Sequence, residues 1–343
     1  MLKLDLDMGR MEDIRISVCI WSGWYNKMNQ PGYKVHRMTS ELHKSLLKKL
    51  GPAPQEMTLL SSPELRMSFT GTVWTELFHC KRYRYLDDFL RDVFEVEENE
   101  LFARFLFHID GMKQTMEDYR RLASSPAVYG EYISNMSVSD TLKAALLLFS
   151  IDKQRYLGAF RWIFVQIDKA VDYVHKQFSG FFNQCLEELG NEDFIRAQLA
   201  KWCPSDPCDT DIVLAPSLLN PSLVRAQAAD GVLYFDVGFD LENAVNASKE
   251  QVLRLNLNQI GKLLSEPKRC EIVDLLCRDE LYMSQIANAL DIPPNTTHYH
   301  MQMFMDTGAV AITMKGKRCL YRMNKHFFKA LAKLANEYYN KLS

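Results

Sequence analysis

The sequence has little that would indicate a membrane or secreted protein. None of its apolar runs approaches the ~18 residues that a membrane helix needs, and residues 1–16 lack the apolar core of a signal peptide. The eight cysteines are scattered over 343 residues and do not form the framework of a disulfide-rich secreted domain. We therefore expect a cytoplasmic protein that makes no membrane contact and keeps its thiols reduced.

Motifs that would indicate an enzyme are also missing. The chain contains no G-x-S-x-G, no G-x-x-x-x-G-K-[ST], no G-x-G-x-x-G and no H-E-x-x-H. Cys203 and Cys208 stand close enough in a Pro-containing loop to suggest a metal or redox pair, but an incidental pair is favoured because no second ligand pair lies nearby. Cys270 and Cys277 are interpreted as buried core thiols. The sequence therefore predicts no catalytic residue, no metal and no cofactor.

The length and charge distribution predict two domains of different character. With 343 residues, of which 47% are hydrophobic, the chain can build more than one buried core. The net charge is −2, yet from residue 250 onward 13 Lys and Arg stand against 9 Asp and Glu. This basic part is the one suited to a polyanion such as DNA. We predict a mainly helical N-terminal domain over residues 1–245 and a C-terminal domain over residues 246–343.

Residues 1–245 show helical patterns that give way to strand patterns. Apolar spacing predicts helices over residues 39–50, 85–94, 97–112, 126–133, 137–149 and 152–182. Strands are predicted over 211–216 and 231–239, with a third at 223–226, as a small antiparallel sheet within about 211–240. The overall fold class is thus mainly α.

Two features of this N-terminal domain leave alternatives open. Residues 14–20 alternate like a strand, although Ser17 could equally cap a helix there. The aromatic side chains are interpreted first as core and second as the wall of an effector pocket. They are Trp21, Trp24, Trp74, Phe78, Tyr83, Tyr85, Trp162 and Phe164.

The stretch 263–323 has the helix start, turn and strand signals of a helix-turn-helix followed by a hairpin. Pro267 predicts the start of a support helix that ends near Arg278, and Ser284 predicts the cap of a short helix. Residues 291–294, Asp-Ile-Pro-Pro, then predict a tight turn. Strand-like segments 309–314 and 319–323 surround a basic tip, which is suited to phosphate contacts. The tip residues assigned to DNA are Lys315, Lys317 and Arg318.

The helix after the turn, which opens at Pro294 or Asn295 and closes at a left-handed Gly308, has two different faces. Its inward face is predicted to carry Thr297, Met301, Phe304 and Met305. The opposite face, interrupted only by Met303, has short or hydrogen-bonding side chains of the kind that read base edges in a major groove. These candidate DNA-binding residues are Asn295, Thr296, His298, Tyr299 and Gln302.

Three segments in this order resemble the ArsR-type winged helix-turn-helix repressors. They are LSEPKRCEIVDLL (264–276), SQIANALDIPPNTTHYHMQMFMDTGAV (284–310) and GKRCLYRM (316–323). The resemblance implies a C-terminal winged helix-turn-helix domain and a homodimer that pairs through helices 246–264 and 325–342. The layout and LAPSLLNPS (214–222) also resemble long members of this family with an uncharacterised N-terminal domain.

Many members of this family sense metals with thiols in the short helix that follows an EL dipeptide. Here Glu280-Leu281 is followed by Tyr-Met-Ser-Gln, which contains no thiol. We therefore expect control by a small-molecule effector, apolar or aromatic, held in the N-terminal domain and transmitted through residues 246–264.

Taken together, these patterns predict a sequence-specific transcriptional regulator. It is expected to act as a repressor and to bind double-stranded DNA as a homodimer on an inverted-repeat operator. A protein-interaction scaffold, in which the winged domain contacts proteins, is the alternative, and an enzyme regulated by its DNA-binding tail is a third class. The clustered basic residues at the wing tip favour DNA, because a protein-binding winged domain has no need of them.

Overall fold

The computed structural model describes residues 1–23, 25, 34–62, 64, 68–73, 82–109, 114–202, 211–229, 232–253, 257–315 and 318–341. It divides into two compact units. The helical unit comprises Leu6–Asn29 and Arg37–Gly180, and the sheet-and-wing unit comprises Met1–Asp5, Gln30–His36 and Phe181–Ser343. The predicted domain boundary between residues 245 and 246 falls inside the second unit and stays a prediction. None of the helices in the described ranges combines the length and apolar character of a membrane-spanning segment.

Helices build the described part of the helical unit, and the predicted helices from residue 85 to residue 151 are confirmed with shifted ends. Their bounds are α1 (Leu6–Trp21), α2 (Arg37–Leu50), α3 (Met57–Leu60), α4 (Phe69–Val73), α5 (Leu86–Phe94), α6 (Glu98–Ile109), α7 (Met116–Ser124), α8 (Pro126–Ser134), α9 (Asp140–Ile151) and α10 (Lys153–Gln177).

Aromatic rings form the core of the helical unit. Phe69 on α4 meets Phe105, Phe149 and Phe160 from three other helices, with ring centroids 4.6 to 6.1 Å apart and mostly edge-to-face. Such pairs add to the stabilisation that comes from burying apolar area. The core interpretation is correct for Trp21, Tyr83 and Phe164, which are buried. Trp24, Trp74 and Phe78 lie outside the described residues.

The core interpretation is wrong for Trp162 and Tyr85, which are 54% and 59% exposed. On α10 the buried face carries Phe160, Ile163 and Phe164. A helix turns about 100° per residue, so Trp162 lies roughly opposite Phe160 and reaches solvent. The long helix predicted over 152–182 also ends early, at Gln177, and a separate helix begins at Ser179.

The ambiguous stretch 14–20 is helical and belongs to α1. Its alternating pattern fits a helix that is buried on several sides, because residues two apart lie on nearly opposite sides of a helix and Ile14, Ile16, Val18 and Ile20 are all buried. Two acidic side chains are buried with them. Nε2 of His175 lies 2.7 Å from Oδ2 of Asp13, and the guanidinium of Arg15 pairs with Glu12. Each buried carboxylate thus has a partner that offsets the cost of burying its charge.

The helix predicted over 137–149 begins later, and Ser139 is the N-cap of α9. Its hydroxyl accepts a hydrogen bond from the backbone N–H of Leu142. Asp152 caps α10 in the same way, through the N–H of Arg155.

The sheet-and-wing unit contains a four-stranded sheet, a three-stranded sheet and helices. Its elements are β1 (Leu2–Leu4), α11 (Ser179–Leu189), α12 (Glu192–Trp202), β2 (Asp211–Ser217), β3 (Val224–Ala229), β4 (Val232–Gly238), α13 (Leu241–Leu253), α14 (Leu257–Leu264), α15 (Pro267–Arg278), β5 (Leu281–Tyr282), α16 (Met283–Leu290), α17 (Pro294–Asp306), β6 (Val310–Lys315), β7 (Arg318–Met323) and α18 (Lys325–Tyr339).

The mainly α fold class with a small sheet is confirmed, but the predicted antiparallel pairing of that sheet is wrong. The strand order is β1-β2-β4-β3, in which β1–β2 and β2–β4 are parallel and only β3–β4 is antiparallel. The central strands β2 and β4 are buried along most of their length, as strands covered on both faces are. Arg225 pairs with Asp236 across β3 and β4, at 2.6 Å, and helps to fix their register.

The helix predicted over residues 246–264 is described as two elements. The first, α13, begins five residues earlier, at Leu241, directly after the sheet. The second, α14, begins at Leu257, and residues 254–256 lie outside the described residues.

We predict that Gly238→Ala destabilises the sheet-and-wing unit. A Cβ added at Gly238 would lie 2.2 Å from the carbonyl oxygens of Asn220 and Pro221, and backbone atoms there cannot move aside cheaply. Overpacking of this kind costs typically about 1–3 kcal/mol, which urea unfolding can measure. The control is Gly261→Ala on α14, where an added Cβ meets nothing within 4 Å. It should be neutral or stabilising by up to ~1 kcal/mol; equal stability of the two variants would contradict the prediction.

Candidate nucleic-acid interface

A shared apolar core holds the helix-turn-helix and the hairpin together. Ile272 and Leu276 come from α15, Ile286 and Leu290 from α16, Met301 and Phe304 from α17, and Tyr321 from β7. The three-stranded sheet has the order β5-β7-β6, so the short strand β5 joins the hairpin to the start of α16. This arrangement confirms the predicted support helix, short helix and wing.

The turn between α16 and α17 has the predicted form. Asp291 ends α16 in the left-handed conformation, at φ 50° and ψ 50°, and Pro293 and Pro294 then set the first residues of α17. The predicted cap at Ser284 is wrong, because α16 begins at Met283. The backbone N–H of Tyr282 donates to Oε1 of Gln285 at 2.9 Å instead. Since Tyr282 still belongs to β5, the helix starts directly where the strand ends.

Helix α17 presents two faces, as predicted. Thr297, Met301 and Phe304 are fully buried, Met305 packs partly against the core, and Gly308 takes a positive φ of 66°. On the other side His298 is exposed, while Thr296, Tyr299 and Gln302 are half-buried. The side chain of Asn295 lies outside the described residues. The structure thus brings Thr296, His298, Tyr299 and Gln302 together on one helix face, and their contacts to DNA stay a prediction.

Met303, which the sequence interpretation places on this face, is half-buried like its polar neighbours. It packs partly against the apolar core, and its Sδ lies 3.3 Å from Nη1 of Arg269. Sequence reasoning missed Arg269 altogether, although its spacing could have identified it. Arg269 stands three residues before Ile272 and seven before Leu276, and therefore on the inward face of α15.

The wing is an antiparallel hairpin in which Lys315 pairs with Arg318. Strands β6 and β7 therefore each extend one residue further toward the tip than the predicted strands do. Residues 316–317 and the side chains of Lys315 and Arg318 lie outside the described residues. At the opposite end, the backbone N–H of Asn324 donates to the carbonyl of Ala309, and its side chain donates to the carbonyl of Gly308. These bonds tie the base of the hairpin to the end of α17.

His298 and His300 face different sides of α17, as their spacing predicted. His300 is 3% exposed, whereas His298 lies at the surface. The neighbours of His298 still remove enough water from its imidazole to lower its pKa below the ordinary value of 6.5. A neutral imidazole at pH 7 can offer one donor and one acceptor to a base edge.

The interpretation of Cys270 and Cys277 as buried thiols is wrong, because both are exposed. Each follows a buried residue of α15, Arg269 or Leu276, and is rotated by about 100° away from the core. Cys203 and Cys208 lie outside the described residues. Within the ranges that the structure describes, no three His, Cys, Asp or Glu side chains converge where they could hold a metal.

Comparison with known proteins shows what the helix-turn-helix part is similar to. Residues 264–313, which run from the end of α14 into β6, match a family described as a helix-turn-helix domain. The chain is also similar to the arsenical resistance operon repressor of Staphylococcus xylosus. The two are 32% identical over 71 residues, which are 21% of this chain and 68% of that repressor.

We predict that His298 titrates below pH 6.5 in the free protein, because desolvation disfavours its charged form. A pKa lowered by folding stabilises the native state above the unfolded pKa, and this stabilisation is lost as the pH falls through the folded value. Proton NMR of the histidine ring resonances would measure the midpoint, and the His298→Gln variant would assign the signal. A midpoint at or above 6.5 would contradict the prediction.

Proposed function

The chain belongs to the ArsR-type winged helix-turn-helix family and is a DNA-binding transcriptional regulator, and we propose that it acts as a homodimeric repressor on an inverted-repeat operator. In this proposal α17 enters the major groove and the wing contacts the neighbouring backbone. The observation that carries it is the division of α17 into a buried apolar side and a surface with hydrogen-bonding side chains, held in place by the turn at Asp291.

Exposed apolar side chains support the dimer. Helix α18 leaves Phe328, Tyr338 and Tyr339 between 37% and 72% exposed, and α14 leaves Leu257 52% exposed. Burying such side chains between two copies would contribute roughly 25 cal/mol per Å² of apolar surface. One winged domain reads only a half-site, so a two-fold symmetric pair is needed for an inverted repeat. We assign pairing to residues 246–264 and 325–342.

The proposal includes a small-molecule effector in the N-terminal region and assigns no metal, no cofactor and no catalytic activity to the chain. The absence of metal sensing at the short helix is supported by a departure from the family pattern, because the segment after Glu280-Leu281 carries no thiol. The effector would act by binding the DNA-competent and incompetent arrangements with different affinity. We also propose that residues 1–245 correspond to the uncharacterised N-terminal domain of the long family members.

Selection of bound sequences from a random double-stranded DNA library tests the function. We expect an inverted repeat with half-site centres about one helical turn, ~34 Å, apart. Sedimentation of the free protein at micromolar concentration should give a dimer. Tyr339→Glu should shift it toward the monomer, whereas Lys333→Glu, on the polar side of α18, should not. Recovery of no enriched sequence, or a monomer both free and on DNA, would overturn the proposal.

The proposed contacts predict two kinds of variant. Lys317→Ala or Arg318→Ala should weaken binding to all sequences similarly and lower the salt slope by about one per lost phosphate contact. Thr296→Ala, Tyr299→Ala or Gln302→Ala should cost roughly 1–3 kcal/mol where the side chain reaches a base edge, and relax the preference at that position.

Titrations on the selected operator and on unrelated DNA, each at several salt concentrations, separate these effects. Lys329→Ala, which removes an exposed cation on α18, is the control. It should change neither the salt slope nor the sequence preference. Uniform losses in both groups, with sequence preference intact, would mean that α17 does not read bases.

A further inference from the structure

The side chain of Arg269 is fully buried at the start of α15, beside the end of α14. Its Nε donates to the carbonyl of Leu263 at 2.6 Å, and its Nη2 donates to the carbonyl of Lys262 at 2.8 Å and to Oγ of Ser265 at 2.9 Å. The last carbonyls of a helix have no partner within that helix. Arg269 therefore satisfies two of the last carbonyls of α14, those of Lys262 and Leu263.

The other edge of the same guanidinium faces α17. Nη1 lies 3.2 Å from Oε2 of Glu266 and 3.3 Å from Sδ of Met303. The same oxygen of Glu266 lies 3.6 Å from Nδ1 of His300, within electrostatic range but longer than a hydrogen bond. Met303 and His300 are both residues of α17, which is the helix assigned to base reading.

These contacts form a continuous polar path from one helix to another. A guanidinium stays charged when buried, and its planar fork holds several acceptors in fixed directions at once. Glu266, whose side chain is 23% exposed, offsets the buried charge of Arg269, so Arg269 would lose its ionic partner in the interior if Glu266 moved away. A displacement of the last turn of α14 would therefore change the position of α17.

We propose that Arg269 and Glu266 are positioning residues for operator recognition, which set the placement of α17 against the end of α14 through Met303 and His300. The inference rests on the proposed function, in which α17 reads base edges. Neither residue needs to touch DNA, because Arg269 is fully buried and Glu266 is directed toward it. Their loss should affect sequence discrimination more than phosphate contacts, since base contacts depend on the placement of α17.

The test compares Glu266→Gln and His300→Gln with Glu271→Gln. Glu266→Gln keeps the shape of the side chain but removes its charge. His300→Gln removes the imidazole that lies near the carboxylate of Glu266. Glu271, on the same helix α15, forms a half-exposed ion pair with Lys268 and serves as the matched control. The measurements are affinity for the selected operator and for unrelated DNA of equal length, corrected for the active fraction, together with the salt slope.

We expect Glu266→Gln and His300→Gln each to lower the ratio of operator to unrelated-DNA affinity by about tenfold, with the salt slope unchanged. Because they act on one contact, the double variant should lose little more than either single variant. Glu271→Gln should leave the ratio unchanged. A purely structural role would lower the melting temperature or the active fraction but not the ratio.

An unchanged ratio in both variants, with wild-type protein discriminating its operator, would overturn this inference alone. If Glu266→Gln cannot be recovered folded, His300→Gln decides by the same criterion. A wild-type protein without sequence preference would instead overturn the proposed function, so the two failures are distinguishable.

Discussion

Burial of one side of α17 in the apolar core shared by the helix-turn-helix and the hairpin, here called the winged part, is the constraint on which the polar side of this helix depends. Met301 and Phe304 contribute to the same apolar cluster as residues of α15, α16 and the hairpin. Because a helix is rigid and its side chains repeat every 3.6 residues, fixing these positions also fixes the direction of Thr296, His298, Tyr299 and Gln302. The polar side of α17 is thus positioned by apolar packing on the opposite side. How precisely its side chains are placed depends on how tightly the apolar side is packed.

Polar contacts add direction to this packing. Apolar contacts tolerate small sliding movements, whereas a hydrogen bond weakens steeply when its geometry is disturbed. Arg269 makes several directed contacts around one buried guanidinium, and they link the end of α14 with Met303 on α17. The position of α17 is therefore fixed in two ways. Apolar packing in the core holds one side of the helix, and the directed contacts of the buried guanidinium hold Met303.

Elsewhere in the chain, several buried charged groups have a partner. In the helical unit Asp13 and Glu12 are paired with His175 and Arg15. In the four-stranded sheet Asp236 is paired with Arg225 on the neighbouring strand. Such pairs contribute little to the free energy of folding in comparison with apolar packing, but removal of one partner leaves an uncompensated buried charge and is costly. They therefore restrict which packing arrangements each unit can adopt.

The sequence by itself determined the features that depend on neighbouring residues. The two prolines after Asp291 predict the turn, Gly308 predicts the end of α17, and helical spacing predicts which side of α17 is buried. Only the tertiary structure decided the features that depend on residues far apart in the chain. Strand β1 pairs in parallel with β2 across more than 200 residues, and residues 14–20 are helical because other helices cover them. The guanidinium of Arg269 meets Sδ of Met303, which lies 34 residues further along the chain. Local patterns cannot reveal these outcomes, since the free energy that favours them comes from contacts that form only when distant segments meet.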